Sequence, residues 1–172
     1  MAFLFGDDSG VSQKEKDTMR EQLAIEMQTV SGLEIVQLRK EYENACRKLG
    51  QDALSEKLSF AVTLIRSPIK AERAEGLYLL RQLRTCQCPH FSLQEILFFL
   101  AKGYYWNEEY PQAMESIDGY LQLKPNNRVG VIMRAVIADK IGSDAMVGVA
   151  IVGGAAAVLG LVALGVARAA SR

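Results

Sequence analysis

The densest group of reactive side chains is Cys86-Gln87-Cys88-Pro89-His90, which places two thiols and an imidazole within five residues. Thiolates and neutral imidazoles are the ligands that zinc prefers, but a structural zinc site takes four of them, usually in spaced pairs. The only further cysteine is Cys46 and there is no other histidine, so a second pair is missing. We therefore expect a loop between helices that stops at Pro89, and no metal or cofactor.

Other residue types that perform catalysis are present but are not arranged for it. A single histidine leaves no Cys–His or Ser–His–Asp combination that would activate a nucleophile. The adjacent carboxylates Asp7-Asp8 and Glu108-Glu109 lie in turn-like stretches, where acids commonly begin helices. The glycines near the C-terminus form neither a dinucleotide-binding fingerprint nor a P-loop. We predict that the protein is not an enzyme.

The charges divide the 172 residues into two parts. The 20 basic and 20 acidic side chains balance overall, yet every acid lies at or before Asp144. Only Arg168 and Arg172 follow it, so residues 1–144 carry net −2 and residues 145–172 net +2. Basic residues in the first part are interspersed with acids, which excludes a nucleic-acid-binding stripe.

The stretch from Ala145 to Ala167 predicts a transmembrane helix. It holds 23 uncharged residues, of which 18 are apolar and five are glycine. As an α-helix it would be about 35 Å long, enough for a hydrocarbon core of about 30 Å. The apolar start Phe3-Leu4-Phe5 is too short for a signal peptide, so we expect a tail-anchored topology with residues 168–172 as a short basic tip. A moderately apolar anchor with basic flanks suits mitochondrial or peroxisomal membranes.

Small residues in this span offer a further hypothesis. Gly153/Ala157 and Ala156/Gly160 have the spacing at which membrane helices approach each other closely. Homo-oligomerisation through the span follows from this pattern, although a segment so rich in alanine and glycine produces such pairs by chance.

The preceding residues predict helices only. Residues 10–142 show helical periodicity throughout, and Ser31 and Ser92 each begin a Ser-x-x-Glu capping box. Short connections favour antiparallel packing of successive helices. We predict an all-α bundle of six to seven helices plus the transmembrane helix, with bundle helices at about 12–28, 31–50, 53–66, 69–85, 92–105, 111–124 and 127–141.

A repeat pattern indicates how these helices pack. Residues 94–127 resemble the 34-residue tetratricopeptide repeat, in which small residues lie where two paired helices cross and a proline ends the unit. A degenerate unit at about 57–90 has Gly76 at the crossing position and Leu80 one turn later. The residues predicted to pack within the clearer repeat are Leu97, Leu100, Ala101, Tyr104, Ala113, Ile117 and Pro125.

Such repeats stack so that the first helix of each pair lines a concave groove. The run from Phe98 to Trp106 holds more aromatic side chains than one core face requires, which favours peptide or helix recognition. We assign Phe99 and Tyr104 to the core and expect Tyr105 and Trp106 to be exposed in the groove. The predicted groove residues are Ala61, Ile65, Phe98, Lys102, Tyr105 and Trp106.

From about Ser31 to the C-terminus, the chain resembles the mitochondrial fission 1 protein family. Five segments carry the resemblance: Phe60 to Ser67, Gly76 to Leu80, Leu100 to Tyr105, Glu109 to Ala113, and Val147 to Gly154. The resemblance implies a tetratricopeptide-like domain over residues 31–142, anchored in the mitochondrial outer membrane and often in peroxisomes. It also implies an adaptor role, in which the groove and N-terminal arm engage the dynamin-related division GTPase or its soluble adaptors.

Two departures from the family pattern affect partner choice. Residues 1–30 have no obvious counterpart in the short animal members and contain an extra amphipathic helix. This helix either lies in the groove as an internal competitor or extends the bundle. Lys102 and Trp106 also occupy groove positions whose identity varies in the family.

Two other functions remain open at this point. A tail-anchored import receptor would use a similar groove to bind basic amphipathic presequences. A membrane-remodelling protein would instead act through an oligomerising tail, and its groove would have no role.

Overall fold

The computed structural model describes residues 10–50, 53–86 and 91–143, and these residues form seven helices. The chain divides into two compact units, Met1–Ala138 and Asp139–Arg172, and only residues 139–143 of the second are described. The helices are α1 (Gln13–Gln28), α2 (Gly32–Leu49), α3 (Leu54–Leu64), α4 (Lys70–Arg84), α5 (Leu93–Trp106), α6 (Tyr110–Leu123) and α7 (128–143).

Local hydrogen bonds explain where several helices begin. The Ser92 hydroxyl accepts from the Glu95 N–H, and the Glu95 carboxylate accepts from the Ser92 N–H, which confirms the predicted capping box of α5. Helix α2 has only the first half of its predicted box. The Ser31 hydroxyl accepts from the Glu34 N–H, while the Glu34 carboxylate lies 3.9 Å from Arg66, just after α3.

Consecutive helices from α2 to α6 pack on one another in chain order, as the short connections predicted. Among the described residues, the largest fully buried side chains come from α1 and α3 to α7, and they are Leu23, Phe60, Leu64, Ile65, Leu80, Leu83, Ile96, Leu100, Ile117, Met133, Val136 and Ile137. The tetratricopeptide-like bundle is therefore built from nearest-neighbour contacts along the chain.

Small residues allow the paired helices to cross closely. A Cβ atom on Gly76 of α4 would lie 2.8 Å from the Ala61 carbonyl oxygen of α3, closer than any real Cβ contact. Ala113 takes the corresponding place on α6 and is fully buried. Gly103 of α5 is similarly close to Ile65 and Leu77. These contacts fix α3, α4 and α5 against each other.

The predicted transmembrane segment, Ala145–Ala167, lies outside the described residues, as do Cys88 and His90 of the cysteine–histidine group. None of the described helices combines the length and apolar character that a bilayer span requires. The described residues also contain no group of side chains suited to holding a metal ion.

Substituting two helical glycines tests the close crossing. Gly76→Ala is expected to destabilise the fold by about 2–3 kcal/mol, because the added methyl meets a backbone oxygen that cannot move aside. The matched control Gly119→Ala adds a methyl 3.6 Å from Leu97, an ordinary contact, and should gain about 0.5–1 kcal/mol of helix propensity. Chemical denaturation followed by circular dichroism measures both, and equal effects would contradict the close crossing.

Candidate partner-binding groove

One face of α5 supplies most of the predicted groove. Phe98, Lys102, Tyr105 and Trp106 recur at spacings of four, three and one residues, so they lie along one side of the helix. The capping box at Ser92 fixes the start of α5, and the close approach of Gly103 to Ile65 seats its opposite face in the core. The bundle therefore presents these side chains on a rigid support.

Helix α1 covers this face. The indole N–H of Trp106 donates a hydrogen bond to the Leu23 carbonyl oxygen at 3.1 Å. The Leu23 side chain is only 2% exposed, and Met19 one turn earlier is also buried. Trp106 was predicted to be exposed, but it is 7% exposed because α1 lies over it. This prediction is corrected by a contact between residues 83 positions apart.

Lys102 is the central charge of the groove. Its ammonium group pairs with the Glu26 carboxylate of α1 and lies 5.1 Å from the centre of the Trp106 ring and 5.9 Å from that of Phe98. The Lys102 side chain is 13% exposed, so its charge is largely removed from water and needs these partners. The Lys102 ammonium thus pairs with an acid of α1 and contacts two aromatic rings of α5.

A second ion pair holds the beginning of α1. The Arg128 guanidinium donates to both carboxylate oxygens of Glu15 at 2.7 Å and to the Gly10 carbonyl at 2.8 Å. The same carboxylate accepts the Ser12 N–H at 2.9 Å in the capping box of α1. Arg128 and then this cap lower the pKa of Glu15 from 4.5 to about 2. Helix α1 is therefore fastened to both α5 and α7.

Tyr105 keeps a partly exposed position at the edge of α1. Its ring meets the Tyr110 ring edge-on, with centroids 5.8 Å apart. Burial raises the pKa of the Tyr105 hydroxyl, and the charge of Arg20 on α1 opposes that shift. Tyr105 is therefore close enough to α1 for the charge of Arg20 to affect its pKa.

Two predicted groove residues do not reach the groove surface. Ala61 and Ile65 are fully buried, and both lie directly against Gly76, where α3 and α4 cross. The prediction that Ala61 and Ile65 line the groove is therefore wrong, because the close crossing of α3 and α4 places this part of α3 in the core. Phe98 remains partly exposed, with its ring 5.2 Å from that of Tyr120.

The residues predicted to pack within the repeat are almost all buried. Tyr104, assigned to the core, is buried, whereas Phe99 is only partly so. Pro125 is exposed just after α6, which ends at Leu123. The buried members are Leu97, Leu100, Ala101, Tyr104, Ala113 and Ile117.

Sequence reasoning missed the ionic partners of α1 and a neighbouring cavity. Arg128 and Glu15 are 113 positions apart, and no local pattern links them. The cavity, of about 310 Å³, opens between the start of α5 and the end of α6, with Phe98, Phe99 and Tyr120 on its walls. Lys124 and Glu95 lie at the same cavity, so it is both aromatic and charged.

The fold defines a tetratricopeptide-like helical protein in which the chain's own helix α1 covers one face of α5. A family model of the Fis1 C-terminal tetratricopeptide repeat matches residues 94–146. The mitochondrial fission 1 protein of Neurospora crassa is 32% identical over 126 residues, which cover 73% of this chain and 78% of that protein. The human mitochondrial fission 1 protein is 29% identical over 152 residues, covering 84% and 97%. The chain belongs to the mitochondrial fission 1 protein family.

Solved structures agree with this fold. The crystal structure of Fis1 from Saccharomyces cerevisiae has a TM-score of 0.59 at 20% identity and covers 67% of this chain and 87% of its own. A crystal structure of yeast Fis1 in complex with an Mdv1 fragment also has a TM-score of 0.59, at 19% identity. At these identities the likeness shows the tetratricopeptide-like fold alone.

The only tryptophan of the chain reports directly on α1. Leu23→Asp places a charge in the contact with Trp106, so we expect α1 to leave and the Trp106 emission to shift to longer wavelength. Ala24→Asp is the matched control, because Ala24 is exposed on the same helix. An unchanged emission maximum in Leu23→Asp, or an equal shift in the control, would contradict the observed seat of α1.

The ion pair of Glu15 predicts an acid-sensitive attachment. Arg128 is the largest cause of the lowered pKa of Glu15, and only its share of the shift depends on attachment, because the Ser12 cap stays within α1. The Arg128 share stabilises the attached state above pH 4.5 and is lost as pH falls towards 2. Trp106 emission should therefore shift over this range. In Arg128→Gln, which leaves the capping box of α1 intact, the acid-induced shift should be smaller. Identical acid profiles in the two proteins would show that this pair does not hold α1.

Proposed function

We propose that the protein is a tail-anchored adaptor of the mitochondrial outer membrane, and of peroxisomes, that recruits the dynamin-related division machinery. The family to which the chain belongs supports a role in mitochondrial fission. The yeast complex with an Mdv1 fragment supports a soluble adaptor as the direct partner. In this proposal Ala145–Ala167 anchors the chain and the groove faces the cytosol.

The observation that carries the proposal is a groove already occupied by a helix. The Trp106 indole N–H donates to the Leu23 carbonyl of α1. The Lys102 ammonium is paired with the Glu26 carboxylate of the same helix. Without α1 these groups would expose an aromatic surface with an unpaired cation at its centre. Such a surface recognises an amphipathic helix, which is how an adaptor groove engages a partner.

Helix α1 is then an internal competitor for the partner. Its buried residues are Met19 and Leu23, and each contributes about 1.5–3 kcal/mol when removed from water. A partner that buries a larger apolar area exceeds this contribution and displaces α1. Binding of a partner thus shifts the balance between a closed and an open groove. A change within α1 that weakens its attachment, and leaves the groove itself unaltered, raises the apparent affinity for the partner.

The import-receptor alternative fits the charges of the groove less well. Presequence helices are basic, and the two residues that bind α1 through their charge, Lys102 of α5 and Arg128 of α7, are cations. Like charges brought together in a partly desolvated site disfavour binding. The adaptor function is therefore the one that the geometry supports best.

Opening the groove should strengthen recruitment. Removal of residues 1–30, or Leu23→Asp in the full chain, is expected to raise affinity for the division GTPase or its soluble adaptor about tenfold, because the cost of displacing α1 disappears. Trp106→Ala should lower it. Purified components in a pull-down titration, with Ala24→Asp as control, give the affinities.

Two results would count against the proposal in different ways. No gain in affinity on opening the groove would show that α1 only extends the bundle. Unchanged length and number of mitochondria and peroxisomes in cells lacking the protein, with no division factor copurifying, would reject the adaptor function itself.

A further inference from the structure

The contacts of α1 define the chemistry of the helix that the groove accepts. Resting on the proposed function, we infer that the partner binds as an acidic amphipathic helix with the spacing acid, apolar, apolar, acid at positions i, i+4, i+8 and i+11. In α1 these positions are Glu15, Met19, Leu23 and Glu26. The acids contact Arg128 and Lys102, and the two apolar side chains between them are buried.

The spacing places all four side chains on one face. At 100° per residue, positions i, i+4, i+8 and i+11 fall within an arc of about 80°. Most amphipathic helices keep their acids on the face opposite the apolar stripe, and α1 also has such exposed acids at Asp17 and Glu21. Glu15 and Glu26 differ because they extend the apolar stripe at both ends. The proposed pattern therefore differs from that of an ordinary amphipathic helix, whose acids lie on the face opposite its apolar residues.

Lys102 makes the second acid a requirement. Its ammonium lies over the Trp106 and Phe98 rings and is largely removed from water, so a partner that offers no acid leaves a buried charge unpaired. A basic residue in the same place would add repulsion. The acid nearest on α5, Glu95, does not neutralise this lysine, since its carboxylate accepts the Ser92 N–H and hydroxyl.

Arg128 determines the direction in which a partner helix binds more than it determines the affinity of that helix. Its side chain is 51% exposed, so its pair with Glu15 is screened by water. It nevertheless binds the acid at the first turn of α1, where the helix dipole also favours a negative charge. A partner helix with its first acid near its N-terminus therefore satisfies both Arg128 and Lys102 only when it runs in the same direction as α1.

Synthetic peptides of residues 12–29 test the inference on the full chain carrying Leu23→Asp, which opens the groove without altering it. The native peptide should bind, as measured by fluorescence anisotropy. Changing Glu15 and Glu26 to glutamine should weaken binding about tenfold, and changing both to lysine should abolish it. The matched control peptide changes Asp17 and Glu21 to lysine, which alters net charge equally on the exposed face, and should bind within about twofold of the native one.

A charge exchange assigns the effect to Lys102. Adding Lys102→Glu to the opened chain should abolish binding of the native peptide and restore binding of the peptide with Glu26 changed to lysine. Circular dichroism checks folding, and Leu23→Ala provides a milder opened chain if Leu23→Asp does not fold.

Two outcomes overturn the inference. Either the doubly lysine-substituted peptide binds as tightly as the native one, or no peptide binds an opened, folded chain. In both cases recovery of a division factor by the same protein would leave the proposed function standing. Binding of the native peptide without recovery of any division factor would instead reject the proposed function and keep the charge pattern.

Discussion

The hydrogen bond from the Trp106 indole to the Leu23 carbonyl is the contact around which the groove is organised. A buried indole N–H without an acceptor costs about 1–3 kcal/mol, so a helix must lie over Trp106 for this side chain to be buried. Once Leu23 is in place, Glu26 reaches Lys102. Docking of α1 therefore buries Trp106 and pairs Lys102 at the same time. If α1 leaves, Trp106 becomes exposed and Lys102 loses its partner together.

The bundle beneath must be rigid for that coupling to have a consequence. Gly76 lies so close to the backbone of α3, and Gly103 so close to the Ile65 and Leu77 side chains, that neither position has room for a larger residue. A support packed in this way does not adjust its shape to the ligand. In the proposed competition, α1 and a partner would occupy the same fixed surface and exclude each other.

Local physics made much of this architecture predictable. The helices and the capping box at Ser92 follow from periodicity and short-range hydrogen bonding, and Gly76 was recognised at a helix crossing from the repeat spacing. The groove was harder. Burial of Ala61 and Ile65 depends on how closely two helices approach, and burial of Trp106 depends on a helix 83 residues earlier in the chain. Periodicity assigns a face to each helix but does not say which helix covers that face, so the Glu15–Arg128 and Glu26–Lys102 pairs emerged only with the structure.

The claim that α1 and the partner exclude each other is tested most directly by amide hydrogen exchange of residues 13–28 in the full chain, with and without the bound partner. If a partner displaces α1, the amides of α1 should exchange slowly in the free protein and fast in the complex, while residues 93–106 of α5 stay protected in both. Protection of α1 that persists when the partner is bound would contradict it, since the helix would then be a permanent part of the bundle.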